Sequence, residues 1–434
     1  MFNILKLRSY NLKRINANKN TFSELITARN DDIAPDGLRS TVSDIISTVI
    51  KNGDAALCDF TKEFDKFDLT PQKIRLSEIE IDVDCENELI DALFQAAGNI
   101  RDYHEKQKRK EWFSENENGA ELGEIIRPVK RAGLYVPAGT APLVSTVLMT
   151  VIPAQVAGVE EICVVTPPDK NGNVNPGILA ACKICGVKEI YRLGSAWAIA
   201  ALAFGTDSVE KVNVIAGPGN RFVTEAKRQL YGYVGIDLIA GPSESLIIAD
   251  DSANPKWIAA DILSQAEHAG SVTFLVSDSP AVLDLIESEI NFLLKTVLTA
   301  DSLKKSVAEN LTAVLVDSIS NAAEVANKIA PEHLQIITKE NDNILANIRN
   351  AGAVFLGNYS PVPLGDFCAG PSHVLPTACA ATFMSGLSTD TFIKRMGVIN
   401  YSKESFNKIN KTMQIIAEKE QLPAHKFTAR VRNE

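Results

Sequence analysis

The sequence predicts an α/β protein of two Rossmann-like, doubly wound parallel sheets, with helical segments at both ends of the chain. Three observations carry this prediction. From residue 133 short apolar runs alternate with helical stretches at a period of about thirty residues, the spacing of βαβ units covered on both faces. A second run of the same texture follows residue 240. The chain has 434 residues, more than one hydrophobic core accommodates, so two or three domains are expected.

The elements follow in order. The first ~130 residues read as mostly helical from apolar spacing. Stretches 41–49 and 55–64 carry apolar residues at helical intervals with Gly53 between them, and 87–107 continues the pattern. That stretch ends in Glu105-Lys106-Gln107-Lys108-Arg109-Lys110-Glu111, read as a solvated helix face, with phosphate binding as the alternative. Strands are expected at 133–137, 161–166, 189–193 and 212–216, with helices at 143–157, 175–185, 196–204 and 222–231. In the second run the strand candidates are 245–249, 272–276, 313–316, 334–337 and 353–356. Helices at 256–268, 281–296 and 322–329 lie between them. After Ser388 the pattern becomes helical again. In such sheets ligands are expected beyond the carboxyl ends of the strands.

Bulk properties narrow the function. Hydrophobic residues make up 45% and charged residues 23%, ordinary for a globular protein. A net charge of −10 argues against nucleic acid and against an anionic membrane surface as partners; a small-molecule substrate fits better. The most apolar long segment, 143–159, is broken by Ser145, Thr146, Thr150, Pro153 and Gln155, so no transmembrane span is expected. The first residues lack an uninterrupted apolar signal region, so a cytoplasmic location is expected. The seven cysteines are scattered and odd in number, which is no disulfide framework. Cys182 and Cys185 read as two thiols buried in a helix.

Several residues could carry chemistry. Gly217-Pro218-Gly219-Asn220 joins a strand to a helix, where amides and the helix dipole favour an anion. It lacks the third glycine of the dinucleotide fingerprint, and a tight turn alone would explain it. Gly241-Pro242-Ser243-Glu244 is a similar turn. In Gln265-Ala266-Glu267-His268, Gln265 and His268 stand at i and i+3 and can converge on one ion; a capping or core role is the alternative. Of the five histidines, His268, His333 and His373 lie in glycine- or proline-punctuated segments at element ends, where sites are built. Asp366 in Pro363-Leu364-Gly365-Asp366 could be a ligand or a turn-forming aspartate. A set of histidine, aspartate and an amide oxygen suits zinc better than copper or calcium. Glu332-His333 after Ala330-Pro331 could divide proton duties, or form a polar loop.

Together these segments resemble the histidinol dehydrogenase family over nearly the whole chain. The matching stretches include Gly133-Leu134-Tyr135-Val136-Pro137, Ser145-Thr146-Val147-Leu148-Met149, Gly217-Pro218-Gly219-Asn220 and Ala240-Gly241-Pro242-Ser243-Glu244. They continue with Ser264-Gln265-Ala266-Glu267-His268, Pro331-Glu332-His333-Leu334, His373-Val374-Leu375-Pro376-Thr377 and Ala424-His425-Lys426. The resemblance implies one zinc per subunit held by Gln265, His268, Asp366 and His425, with Glu332 and His333 as the acid/base pair. It implies substrate contacts from Ser243, Gln265, His268, His333, Asp366, Glu420 and His425, and an NAD site lined by Tyr135 and Asn220. It further implies a homodimer with exchanged segments, in which Glu420 and His425 complete the partner subunit's site.

The implied division of the chain is an N-terminal helical segment (1–30) and a discontinuous α/β domain (31–132 with 241–385) carrying the metal and catalytic residues. A Rossmann-like domain on the NAD side (133–240) and a helical tail (386–434) complete it. One position on the cofactor side departs from the family. A glutamine often stands just before the Ala198-Ile199-Ala200 run; here it is Trp197, whose indole lacks the amide's paired donor and acceptor and can offer stacking instead. Pro371-Ser372 likewise replaces a commoner Thr-Asn before His373. The implied reaction oxidises L-histidinol through L-histidinal to L-histidine with two NAD, the last steps of histidine biosynthesis. Rival readings are a sister zinc dehydrogenase acting on another polar alcohol such as a sulfonated diol, a zinc-holding scaffold without activity, and a generic dinucleotide-binding module.

Overall fold

The structure, a computed structural model, describes residues 11–17, 36–82, 84–139, 141–268 and 270–432. Its strands in chain order are β1 (Lys13–Asn16), β2 (Trp112–Glu115), β3 (Glu121–Pro128), β4 (Arg131–Tyr135), β5 (Glu161–Thr166), β6 (Ile190–Arg192) and β7 (Val214–Ala216). There follow β8 (Gly235–Ile236), β9 (Glu244–Ala249), β10 (Val272–Ser277), β11 (Leu311–Leu315), β12 (His333–Ile337), β13 (Ala353–Leu356) and β14 (Ile393–Asn400). They form a parallel sheet in the order β6-β5-β4-β7-β8 and a second parallel sheet in the order β1-β11-β10-β9-β12-β13. Apart from the edge strand β1, each sheet starts centrally, runs outward on one side and then returns to the other, so strand order reverses between β4 and β7 and between β9 and β12. The strands are apolar on both faces because helices cover both: Leu134, Val164 and Ile215 in one sheet, and Leu246, Leu275 and Leu334 in the other, are fully buried.

The helix Val144–Ala157 is apolar all round and is buried accordingly. Pro153 inside it has no N–H to offer the Met149 carbonyl. Ser372 Oγ donates to that carbonyl instead, at 3.0 Å. This bond ties the segment before His373 onto the five-stranded sheet's first helix.

Three expectations need correction. Within the expected N-terminal helical segment, Lys13–Asn16 is a strand, added in parallel beside β11; residues 1–10 and 18–30 lie outside the described residues. The helices Asp36–Asn52, Asp54–Phe60 and Asn87–Glu105 do not group with the six-stranded sheet. Val42, Ile46, Val49 and Leu57 share a core with Tyr135, Val165, Ile199 and Ile215, and Leu93 and Ile100 share one with Val147 and Val151. Lastly, the helical readings before residue 130 and after Ser388 hide a third sheet, antiparallel, in the order β14-β3-β2. Its outer strands are largely solvent-exposed, so no core-facing alternation marks them. The helices Lys403–Lys419 and Pro423–Arg430 that follow pack mainly on each other. No helix among the described residues is long and apolar enough to cross a membrane.

Candidate active site

The acid/base pair sits where β9 and β12 begin. Ala330 ends the helix Ala322–Ile329 in the left-handed region, at φ 48°, a conformation that is strained for a side chain with a Cβ. Pro331 stops the helix from continuing, and the chain enters β12 with Glu332 and His333 already buried. Gly352 comes so close that a Cβ would stand 2.6 Å from the Glu332 carbonyl oxygen, so only glycine fits there. The Glu332 carboxylate accepts the Glu244 amide N–H at 3.0 Å. His333 Nδ1 lies 3.7 Å from Glu332 Oε2 and Nε2 lies 3.6 Å from Asp366 Oδ1. Both ring nitrogens are buried, and neither has a close hydrogen-bond partner among the described residues.

Burial, chiefly, pushes the Glu332 carboxyl up to about 7, against the opposing pull of His333. For His333 burial works the other way, but the Glu332 and Asp366 carboxylates outweigh it and raise the imidazole above its ordinary value. The pair is thus placed to exchange a proton near neutral pH.

Asp366 lies on the short helix Val362–Phe367, and His373 fastens it. His373 Nδ1 donates to the Asp366 carbonyl oxygen at 2.8 Å, which leaves Nε2 to accept from the Thr146 hydroxyl at 3.1 Å. Burial lowers the His373 pKa, consistent with the neutral ring this pattern requires. Gln265 closes the helix Pro255–Ala266 and is buried with its side-chain nitrogen unpartnered; Ser271 Oγ donates to its backbone carbonyl at 2.7 Å. His268 follows the helix end and is exposed. Ser243 precedes β9. A cavity of about 310 Å³ opens beside His333, Asp366 and His373, walled by Phe355 and Leu375.

Three donors of the expected metal set, an amide, an imidazole and a carboxylate, lie on segments at this edge. That chemistry fits zinc. Among the described residues no group of three or more His, Cys, Asp or Glu side chains forms a metal cluster. The fourth expected ligand, His425, and Glu420 lie elsewhere, along a groove between the two C-terminal helices that none of the other site residues lines.

The expected cofactor residues occupy the carboxyl edge of the five-stranded sheet. Tyr135 ends β4 and is buried; its hydroxyl accepts the Ser195 amide N–H at 3.1 Å. Gly217 follows β7 at φ 117°, and a Cβ there would stand 2.1 Å from the Tyr135 carbonyl oxygen. The glycine is what lets β7 close on β4. Its carbonyl accepts from Lys227 Nζ at 2.9 Å and its N–H donates to Asp237 at 2.7 Å, while Lys227 and Asp237 form a buried ion pair. Asn220 caps the helix Arg221–Leu230 through its side-chain oxygen and is exposed. Trp197 is buried and stacks on Phe60 and Phe64, so its indole is committed to packing.

Sequence reasoning singled out His373 but did not see that it joins Thr146 to Asp366, nor that Glu244 supplies an amide to Glu332. Both depend on contacts between distant segments. The Ser145-Thr146 motif was the available signal for the first.

Two parallel sheets with reversing strand order, facing edges rich in titratable groups and a buried Glu-His pair define an α/β protein of the dehydrogenase type. The profile of the histidinol dehydrogenase family matches residues 28–433, and the chain belongs to that family. It is similar to histidinol dehydrogenase from Clostridium acetobutylicum, with 46% identity over 90% of this chain and 91% of that one. The corresponding figures for the Bacillus cereus protein are 44%, 93% and 95%. The crystal structure of histidinol dehydrogenase from Elizabethkingia anophelis superposes with a TM-score of 0.92 at 38% identity, covering 98% of both chains.

Proposed function

We propose that this protein oxidises L-histidinol through L-histidinal to L-histidine, reducing two NAD. The observation that carries the proposal is the buried Glu332–His333 pair, with neither imidazole nitrogen closely hydrogen-bonded among the described residues and the Asp366 carboxylate beside it. His333 takes the proton of the substrate hydroxyl as the first hydride leaves. Glu332, its carboxyl lifted by burial, takes a proton from the water that adds to the aldehyde, and the second hydride then leaves from the hydrate. Gln265, His268 and Asp366, with His425 of the partner subunit, would hold zinc. When bound, the ion supplies a Lewis acid that anchors the substrate's amine and imidazole. Ser243, and Glu420 of the partner subunit, would add substrate contacts.

NAD would lie against Tyr135 and Asn220, with Trp197 backing that edge. Thr146 and His373 bridge the two edges and so hold cofactor and substrate sides in register. A homodimer is supported by the C-terminal helices, which expose Met413, Ile416, Leu422 and Phe427 and pack little on the rest of their own chain. The rival reading, a zinc dehydrogenase for a sulfonated diol, is not favoured: eight relatives of similar length, at 42–46% identity, are all named histidinol dehydrogenase.

The test is NADH released per L-histidinol consumed, before and after chelation. Two equivalents from the untreated enzyme, none after chelation, and recovery on adding zinc are expected. One equivalent, or turnover indifferent to the chelator, would reject the proposal.

A further inference from the structure

The helix Pro255–Ala266 leaves the carboxyl end of β9 and returns the chain to the start of β10, so it runs antiparallel to β9 and to β12 beside it. One polar rung ties it to β12: Gln335 Nε2 donates to Asp261 Oδ2 at 2.8 Å. On the carboxyl side of that rung, Ile337 shares a core with Ile258 and Ile262. Alternate residues of a strand face the same way, so His333 points to the helix side as Gln335 and Ile337 do. Asp261 and Gln265 stand one turn apart on one helix face. Four helical residues rise about 6 Å and two strand residues span roughly 6 to 7 Å. The step from Asp261 to Gln265 therefore matches the step from Gln335 to His333, and the rung lies one level behind the amino edge of the sheet.

Two unpartnered groups of opposite sense sit on these two levels. Gln335 is 1% exposed and its Oε1 accepts no hydrogen bond; Gln265 is 3% exposed and its Nε2 donates none, among the described residues. A buried donor and a buried acceptor are each costly without a partner, and one bond between them satisfies both. The last torsion of a glutamine is broad, so the Gln265 amide can turn its NH2 back towards the rung. The rung also sets a polarity. The two ends of an amide group differ little in size, so hydrogen-bond partners decide which way it points. An ionised carboxylate only accepts, so Asp261 draws the NH2 of Gln335. Gln335 then presents its oxygen, which draws the NH2 of Gln265, and the Gln265 oxygen is left facing the site. A cation takes that oxygen, whereas the reverse orientation sets an NH2 against it.

We infer that Asp261 and Gln335 are positioning residues for Gln265: a relay of hydrogen bonds from Gln265 through Gln335 to the Asp261 carboxylate holds the Gln265 amide with its oxygen turned to the metal. The inference rests on Gln265 being a zinc ligand, as proposed above. Hydrogen bonds in a chain that ends on an anion polarise one another, so the relay also makes the Gln265 oxygen a stronger donor to a cation. Partners of this kind, one bond removed from a ligand, govern metal affinity.

The experiment is competition for zinc between the full-length protein and a chromogenic chelator, with the visible spectrum of the cobalt(II)-loaded protein read alongside. Neither measurement needs turnover. D261N keeps the size of the side chain but offers Gln335 an NH2 as well as an oxygen, so the polarity is lost. It is expected to loosen zinc roughly 10- to 100-fold and to shift the cobalt bands. D261N/Q335E moves the carboxylate one place along the relay and again sets a group that only accepts against Gln265. It is expected to recover most of the lost affinity and the wild-type spectrum. Unchanged affinity and spectrum in D261N, or a loss that the double variant does not recover, would overturn the relay. Q265A separates the two levels of inference. Weaker zinc binding in Q265A with D261N unchanged keeps Gln265 as a ligand and removes the relay, whereas zinc binding untouched in Q265A removes Gln265 from the metal site altogether.

Discussion

In the five-stranded sheet the polar groups gather where β4, β6 and β7 end; in the six-stranded sheet they gather where β9 and β12 begin. Strand order reverses near the middle of both, so the difference lies in what surrounds each edge. At a carboxyl edge helices begin, and their free amides and positive dipole ends suit phosphate. Ser195 and Arg221 start such helices. At an amino edge helices end. Pro255–Ala266 delivers Gln265 there with its negative dipole end, and Glu332 and Asp366 add carboxylates. That edge suits a cation and proton transfer. The carboxyl edge of the six-stranded sheet shows the contrast again. Instead of glycines it carries Asp250, Asp251 and Asp278 around a crevice, with Asp250 bound to the Lys339 amide at 2.8 Å and Asp278 to that of Ile319 at 3.0 Å. Such a crevice repels a dinucleotide's phosphates. One topology can thus hold cofactor on one sheet and reacting groups on the other, facing each other.

The largest effect that would break this division is expected from Glu332→Gln. Turnover should fall roughly a thousandfold or more, while calorimetric affinity for NAD stays within about twofold, since the amide changes only the amino edge. An unchanged rate would remove Glu332 from proton transfer.

Two glycines sharpen the comparison next, because each permits one close approach. Gly217→Ala drives a Cβ into the Tyr135 carbonyl at a positive φ, and should cost on the order of 3 kcal/mol in denaturant unfolding and weaken NAD binding. Gly352→Ala presses on the Glu332 carbonyl and should lower kcat with NAD affinity kept. Reversed phenotypes would contradict the assignment of the edges.

The smallest effect concerns how the N-terminal helices are tied to the five-stranded sheet. Burial works against the charged form of Glu80, but its bonds to Arg192 and Ser77 prevail and hold the carboxyl at about 2. A depressed folded-state pKa gives stability that is present above the unfolded value near 4.5 and is lost as pH falls towards 2. Glu80→Gln should flatten acid unfolding over that window and leave stability at pH 7 changed only slightly, since Glu80 is half exposed. An unchanged acid limb would show that the pair contributes nothing.

Much of this was legible in the sequence. Glu161–Thr166 and Ala322–Ile329 fall where their apolar runs place them, because their neighbours demand burial, and Ala353–Leu356 does so although it is an edge strand with Val354 and Leu356 exposed. The antiparallel sheet was not legible: β2 is exposed along its whole length, so no hydrophobic pattern records its pairing. At the site, Glu332 and His333 stand together in sequence and could be read as a pair. The partners that orient them, Glu244 and Asp366, come from distant segments, and the link from Thr146 to His373 spans 227 residues.

The most direct test of the division between the two sheets is an anomalous difference map at the zinc edge, from crystals grown with zinc and NAD. One peak per subunit is expected, bounded by Gln265, His268 and Asp366, with the dinucleotide along the ends of β4 and β7. A peak in the crevice of Asp250 and Asp278, with the 265–268 and 366 side chains bare, would contradict the account.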